Sequence, residues 1–265
     1  SNTTILMDST STSSDNTAIL VSSDYDDDLT EGGDVDNLTI TGCTIVGGYY
    51  ALNLEGKATD DPSFDYIITD NEIRQFYIAA IYADELENIE ISRNTIFTDR
   101  GTSTGDGLYL LDINNYHIEG NNISVGDYGL YISNGNENYT VTTNSTIINN
   151  MVLSTSDYAM YLNDFDNTDI FHNTSLGEPG IRINEQEAAD IRNNIFASTG
   201  DYAFESDGAL GSGDVVNYNL YYSPVALPLH VGLNDFANLR DWKVADPSNN
   251  VNSLEGDPIF ASASD

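Results

Sequence analysis

Four stretches of the chain share one spelling: Ile68-Thr69-Asp70-Asn71-Glu72-Ile73, Ile91-Ser92-Arg93-Asn94-Thr95-Ile96, Ile118-Glu119-Gly120-Asn121-Asn122-Ile123 and Ile147-Ile148-Asn149-Asn150-Met151-Val152. Each reads apolar-x-x-Asn-x-apolar. Weaker copies follow at 170–173, 191–194 and 216–219, and an early one at 40–45 has Cys43 in the asparagine slot. Successive slots are 28, 23, 27, 29, 23, 21 and 25 residues apart. Irregular steps around a mean of about 25 are what stacked coils with loops of variable length produce.

Between these copies runs a second pattern, a small residue followed by apolar-x-apolar. It appears as Ala51-Leu52-Asn53-Leu54, Ala80-Ile81-Tyr82-Ala83, Gly107-Leu108-Tyr109-Leu110, Gly129-Leu130-Tyr131-Ile132, Ala159-Met160-Tyr161-Leu162, Gly180-Ile181-Arg182-Ile183 and Ala203-Phe204-Glu205-Ser206. Alternation over such short runs is strand, and Gly, Asn and Asp between the runs supply turns. No coil can bury its apolar face alone, so coils stack with strands ~4.8 Å apart. The asparagine slot then becomes an internal ladder of side-chain amides. Cys43, at the end of that ladder, fits a small buried group, the alternative being an exposed thiol that bridges two chains.

These repeats resemble the right-handed parallel β-helix superfamily, the pectate-lyase-like fold, over about Ala18 to Tyr222. The expected fold is all-β: a single-stranded right-handed parallel β-helix solenoid of about eight or nine coils with a C-terminal cap. Residues 1–222 form the repeats and 223–265 the capping segment. Phe236, Leu239 and Trp242 fit one face of a short helix, and Trp242 and Phe260 would cover the last coil. The ending Asn252-Ser253 … Asp257-Pro258-Ile259-Phe260 is similar to the segment that follows many bacterial and archaeal β-helix repeats. The resemblance fixes the fold more than the activity, because the superfamily hosts lyases, hydrolases, adhesins and structural proteins.

The 265 residues carry 8 Lys plus Arg against 43 Asp plus Glu, a net charge of −35. That balance excludes a nucleic-acid partner, which needs a basic footprint, and disfavours anionic membranes and glycans. It favours cations, neutral surfaces or a salty medium. One cysteine allows no internal disulfide, and no apolar run reaches membrane-spanning length. The Ser/Thr-rich start, 1–17, reads as a mature end exposed by processing, which places the protein outside the cell or on its surface.

Two rows of residues are the candidate sites. The middle residue of the second pattern points outward, which lines up Tyr82, Tyr109, Tyr131 and Tyr161 as a candidate glycan platform or packing face. Earlier in the same coils stand Asp127, Asp157, Glu178 and Asp201. Like charges stacked at ~5 Å repel by roughly 0.8 kcal/mol per pair even in water, so a cation, a shared proton or splaying must relieve them. Each carboxylate is otherwise free to cap its own turn. Asp24-x-Asp26-x-Asp28 opens like a calcium loop, but Leu29 and Val35 stand where Gly and Glu are needed. Ca²⁺ is the expected cofactor at these carboxylates.

The superfamily's catalytic blocks are mostly missing. Asn167-Thr168-Asp169 matches the first polygalacturonase-type block in letters, but no Gly-His-Gly or Arg-x-Lys follows. The expected function is therefore a non-catalytic extracellular protein that assembles into or decorates a surface layer, sheath or fibre, with itself or a neutral polysaccharide as partner. The alternatives are a carbohydrate-binding module on the tyrosine row, or a polysaccharide hydrolase or lyase with a carboxylate-lined groove.

Overall fold

A computed structural model describes residues 3–22, 35–57, 62–100, 105–134, 145–184, 187–211, 213–225 and 228–259. Among them the chain winds through three parallel sheets of ten, ten and eight strands. Each turn contributes one short strand to each sheet in the same order. One turn, for example, runs Thr95–Phe97 in the first sheet, Asp106–Leu111 in the second and Asn114–Glu119 in the third. Seven turns carry an asparagine at the ladder position, with partial turns at either end, so the regular coils number slightly fewer than the eight or nine expected. The only α-helix among the described residues, Leu239–Ala245, lies beyond the coils.

The ladder forms at the corner between the third and first sheets. Asn71, Asn94, Asn121, Asn150, Asn173, Asn194 and Asn219 are all buried. Asn121 shows the unit. Its Oδ1 accepts from the backbone N–H and the side-chain amide of Asn94, both at 3.0 Å, and its Nδ2 donates to the Ile91 carbonyl at 2.8 Å and to Asn150 Oδ1 at 3.0 Å. The ladder starts where Asn71 Oδ1 accepts from the Cys43 backbone N–H at 2.9 Å. Cys43 itself is half-buried rather than buried, because no coil of the ladder precedes it to cover its side chain.

The residue before each slot makes the corner. Gly42, Asp70, Arg93, Gly120, Asn149, His172, Asn193 and Tyr218 all have φ between +55° and +66°, the left-handed region that Gly, Asn and Asp reach most cheaply. Immediately after the corner, Ile45, Ile73, Ile96, Ile123 and Val152 stack inward in the first sheet, each at most 1% exposed. Burying one such side chain stabilises the fold by about 1.5–3 kcal/mol, and the next turn covers it, so stability accumulates coil by coil.

The small residue of the second pattern enters the second sheet at a crowded corner. A Cβ at Gly107 would run into the Gly129 carbonyl oxygen, and one at Gly129 into Val152 and the Ala159 carbonyl. That closeness admits only Gly at these two corners, whereas other coils carry Ala at the equivalent position. After Tyr222 the strand Leu229–Val231 continues the second sheet, and Leu254–Glu255 continues the first. Phe236 belongs to an antiparallel strand, Asn234–Phe236, not to the helix, which begins after the Asn238 N-cap. Trp242, 1% exposed, packs on Phe204, Tyr221 and Phe236 with ring centroids 5.2, 5.9 and 6.3 Å away. Phe260, the other expected cap residue, lies outside the described residues.

Candidate functional site

The outer face of the second sheet gathers most of the aromatic and acidic residues singled out in the sequence. Parallel pairing puts Tyr82 opposite Tyr109, Tyr109 opposite Tyr131, and Tyr131 opposite Tyr161. Their rings stack nearly parallel along the coil axis, with centroids 5.7, 4.4 and 5.1 Å apart and interplanar angles of 9°, 4° and 6°. Tyr128 and Tyr158 form a second column at 5.7 Å and meet Tyr131 and Tyr161 edge-on. The row is therefore real but differs from an open platform. Its ring faces cover one another, and each tyrosine is half-buried in the resulting ridge. Asn53, expected at the head of the row, is fully buried.

Carboxylates flank the ridge. On the side where the strands begin, Asp127 and Asp157 share a hydrogen bond, and burial together with Asp157 pushes Asp127 up to about 6. Asp106, 8% exposed, lies against both. Burial, with Asp127 and Asp157 adding repulsion, lifts it to about 8, although its Oδ1 accepts from the Tyr128 N–H at 3.0 Å. It was missed in the sequence because it stands three residues before its tyrosine, whereas Asp127 and Asp157 stand four before theirs. The shortened approach draws the carboxyl inward. On the far side of the ridge, burial pushes Asp84 up to about 6, with Asp112 and Glu85 adding to the effect.

Not all of the expected acidic row converges. Asp157 also caps its own turn, accepting from the Tyr158 N–H at 2.8 Å. Glu178 is exposed, and Asp201 acts on Tyr202 and Glu205 instead. Among the described residues no group of three or more His, Cys, Asp or Glu side chains is placed to hold a metal ion. Asp24, Asp26 and Asp28 lie outside the described residues.

Beyond Tyr161 the outward row changes character. Arg182 lies 5.3 Å from the Tyr161 ring centroid, donates to the Tyr158 hydroxyl at 2.7 Å and pairs with Asp207 at 2.6 Å. Next in register come Glu205 and His230. His230 Nδ1 is 2.7 Å from Asp235 Oδ1, which also accepts from the Tyr202 hydroxyl at 3.1 Å; these bonds hold Asp235 below the usual carboxylate range. Burial raises the phenols of Tyr82, Tyr109, Tyr128, Tyr158 and Tyr161, Tyr109 to about 12. Neutral phenols therefore stand beside carboxyls poised to hold a proton. Such a face can both donate to and accept from a hydroxyl-rich ligand.

The right-handed β-helix region family model matches residues 1–208. Two solved structures align with the chain, both A-modules of mannuronan C-5 epimerases from Azotobacter vinelandii. The AlgE4 module aligns with a TM-score of 0.51 at 11% identity, covering 86% of this chain and 72% of that one. The AlgE6 module aligns with a TM-score of 0.45 at 10% identity, covering 86% and 74%. At such identities the likeness is one of fold. Comparison with curated proteins gave no match.

Proposed function

We propose that this chain, which belongs to the right-handed β-helix family, binds an uncharged polysaccharide along the tyrosine ridge of its second sheet. The observation that carries the reading is the register of Tyr82, Tyr109, Tyr131 and Tyr161, which repeats one chemical group over four successive turns of the solenoid. A polymer of repeating hydroxyl-bearing units matches a surface of repeating donors and acceptors. The flanking carboxyls accept from sugar hydroxyls, and the net charge of −35 selects against polyanions. The fold of a mannuronan C-5 epimerase module supports polysaccharide chemistry on such a framework, without carrying that enzyme's substrate over to this chain.

Because the rings already stack on one another, contact with the ligand runs through hydroxyl edges. The test is retention on immobilised neutral polysaccharides of the wild type and a Tyr109→Phe/Tyr131→Phe/Tyr161→Phe variant, which keeps the stack and removes the hydroxyls. Retention of the wild type alone, at equal thermal stability, is expected. Equal retention of both proteins, or of neither on any matrix, sinks the reading.

A second reading, favoured by the raised Asp106 beside the hydrogen-bonded Asp127–Asp157 pair, is acid–base chemistry on the bound glycan. It predicts new reducing ends or unsaturated products that Asp106→Asn abolishes while retention persists.

A further inference from the structure

The outer surface of the first sheet is unlike the rest of this acidic molecule. Two outward rows run along its ten strands. Among the described residues those rows hold one acidic and one basic side chain, Glu72 and Arg74, which neutralise each other at 3.0 Å. Towards the C-terminal end the rows turn apolar: Met151, Leu153, Leu176, Ile195, Leu220 and Leu254. Met151 is 48% exposed and Leu254 67%. The other two faces carry their charge outward, as Asp84 and Glu205 on the second sheet and Glu87, Glu90 and Asp169 on the third.

We propose that this strip is where two copies of the chain pair, sheet against sheet. Charge selects the occupant. A cationic partner would settle on the acidic faces, whereas a second chain of net charge −35 is repelled everywhere except where carboxylates are missing. Nine strand steps of ~4.8 Å make the strip about 43 Å long. Two side-chain rows of that length offer on the order of 600 Å² before side-chain relief is counted, near the ~800 Å² per partner of a standard interface. A two-fold axis through the strip lets identical patches meet and closes the assembly as a dimer. The tyrosine ridge lies on a different sheet and stays open in that dimer, so the pairing is independent of the glycan reading.

Sedimentation equilibrium of the full chain up to about 100 µM, in ~0.1 M and ~1 M NaCl, tests the pairing. The wild type is expected to form a dimer that tightens in high salt, because salt screens the repulsion between acidic faces while the neutral strip needs no ion pairs. Met151→Glu/Leu254→Glu, placed at two exposed positions, is expected to weaken the dimer about a hundredfold or more. Thr146→Glu on the third sheet is the control and leaves it unchanged. A wild type that stays monomeric in both salts overturns the proposal, as does a dimer indifferent to the first-sheet variant. Sedimentation of a monomer with uncharged phosphatidylcholine vesicles would assign the strip to lipid and overturn it equally.

Discussion

Removing the side chain of Asn121 leaves the Asn94 backbone N–H and side-chain amide without their acceptor and the Ile91 carbonyl without a donor, all inside the fold. Orphaned buried groups cost about 1–3 kcal/mol each, partly recovered by relaxation. Asn121→Ala is therefore expected to destabilise the chain by about 3 kcal/mol in urea unfolding, and a loss below ~1 kcal/mol would show that the ladder is dispensable. Asp106 acts in the opposite sense to an ion-paired carboxylate. Its folded value of about 8 lies above the unfolded ~3.9, so between those limits the folded chain holds a proton that the unfolded chain releases. The associated stability is complete below about pH 4 and is lost as pH rises through about 8. Thermal melts are expected to weaken from pH 5 to pH 8.5, and less steeply in Asp106→Asn, which imitates the protonated group. Parallel slopes would mean that Asp106 titrates normally. The asparagine ladder was legible because one residue type recurs in one slot. Asp106 was not, because its burial follows from a one-residue shortening whose consequence exists only once the neighbouring coils are stacked against it.

At the scale of the strand and the corner, the row of tyrosines was legible from alternation alone, but its packing was not. Outward position says nothing of whether rings lie flat on the sheet or stand against each other. Spacing near 5 Å between successive turns leaves room for one ring thickness plus contact, so the rings stack. Tyr131 is stacked on Tyr109 and Tyr161 and meets Tyr128 edge-on. Tyr131→Ala is expected to cost about 2–3 kcal/mol from lost stacking and burial, and Tyr131→Phe under ~1 kcal/mol; chemical denaturation of the pair separates the structural part of the tyrosine from the part its hydroxyl plays. The corners were half legible. Gly42, Asp70, Gly120, Asn149 and Asn193 are residues that favour a left-handed turn, whereas Arg93, His172 and Tyr218 adopt the same φ with no such signal. His172→Gly is expected to stabilise by about 0.5–1 kcal/mol, since relief of the left-handed strain exceeds the added chain entropy. A destabilised variant would show that the imidazole contributes more than its backbone costs.

For the whole molecule, the repeat dictates three long faces of different chemistry on one solenoid. Aromatic and acidic groups line the second sheet, a nearly neutral strip covers the first, and the third is acidic and mixed. Reading the sequence along one outward row found the first of these. The neutral strip stayed hidden because its residues belong to the asparagine repeat, where the apolar positions read as core and those between them carry no shared letter. In the sequence, the missing catalytic blocks and the outward tyrosines pointed to assembly, and the stacked carboxylates to calcium. The proposed glycan reading rests on the ridge, whose register repeats one group over four successive turns, while the expected acidic row divides between separate partners. Helix length sets a further boundary: among the described residues no helix is long and apolar enough to cross a membrane.

The ridge as a polymer-binding surface is tested most directly by calorimetric titration with neutral oligosaccharides of increasing length. Four tyrosines span three strand steps, about 14 Å. Affinity is expected to climb with each added unit until the ligand covers that row and its flanking carboxyls, then to level off, with the climb absent in the Tyr109→Phe/Tyr131→Phe/Tyr161→Phe variant. Affinity independent of length, or an unchanged climb in the variant, would contradict the account.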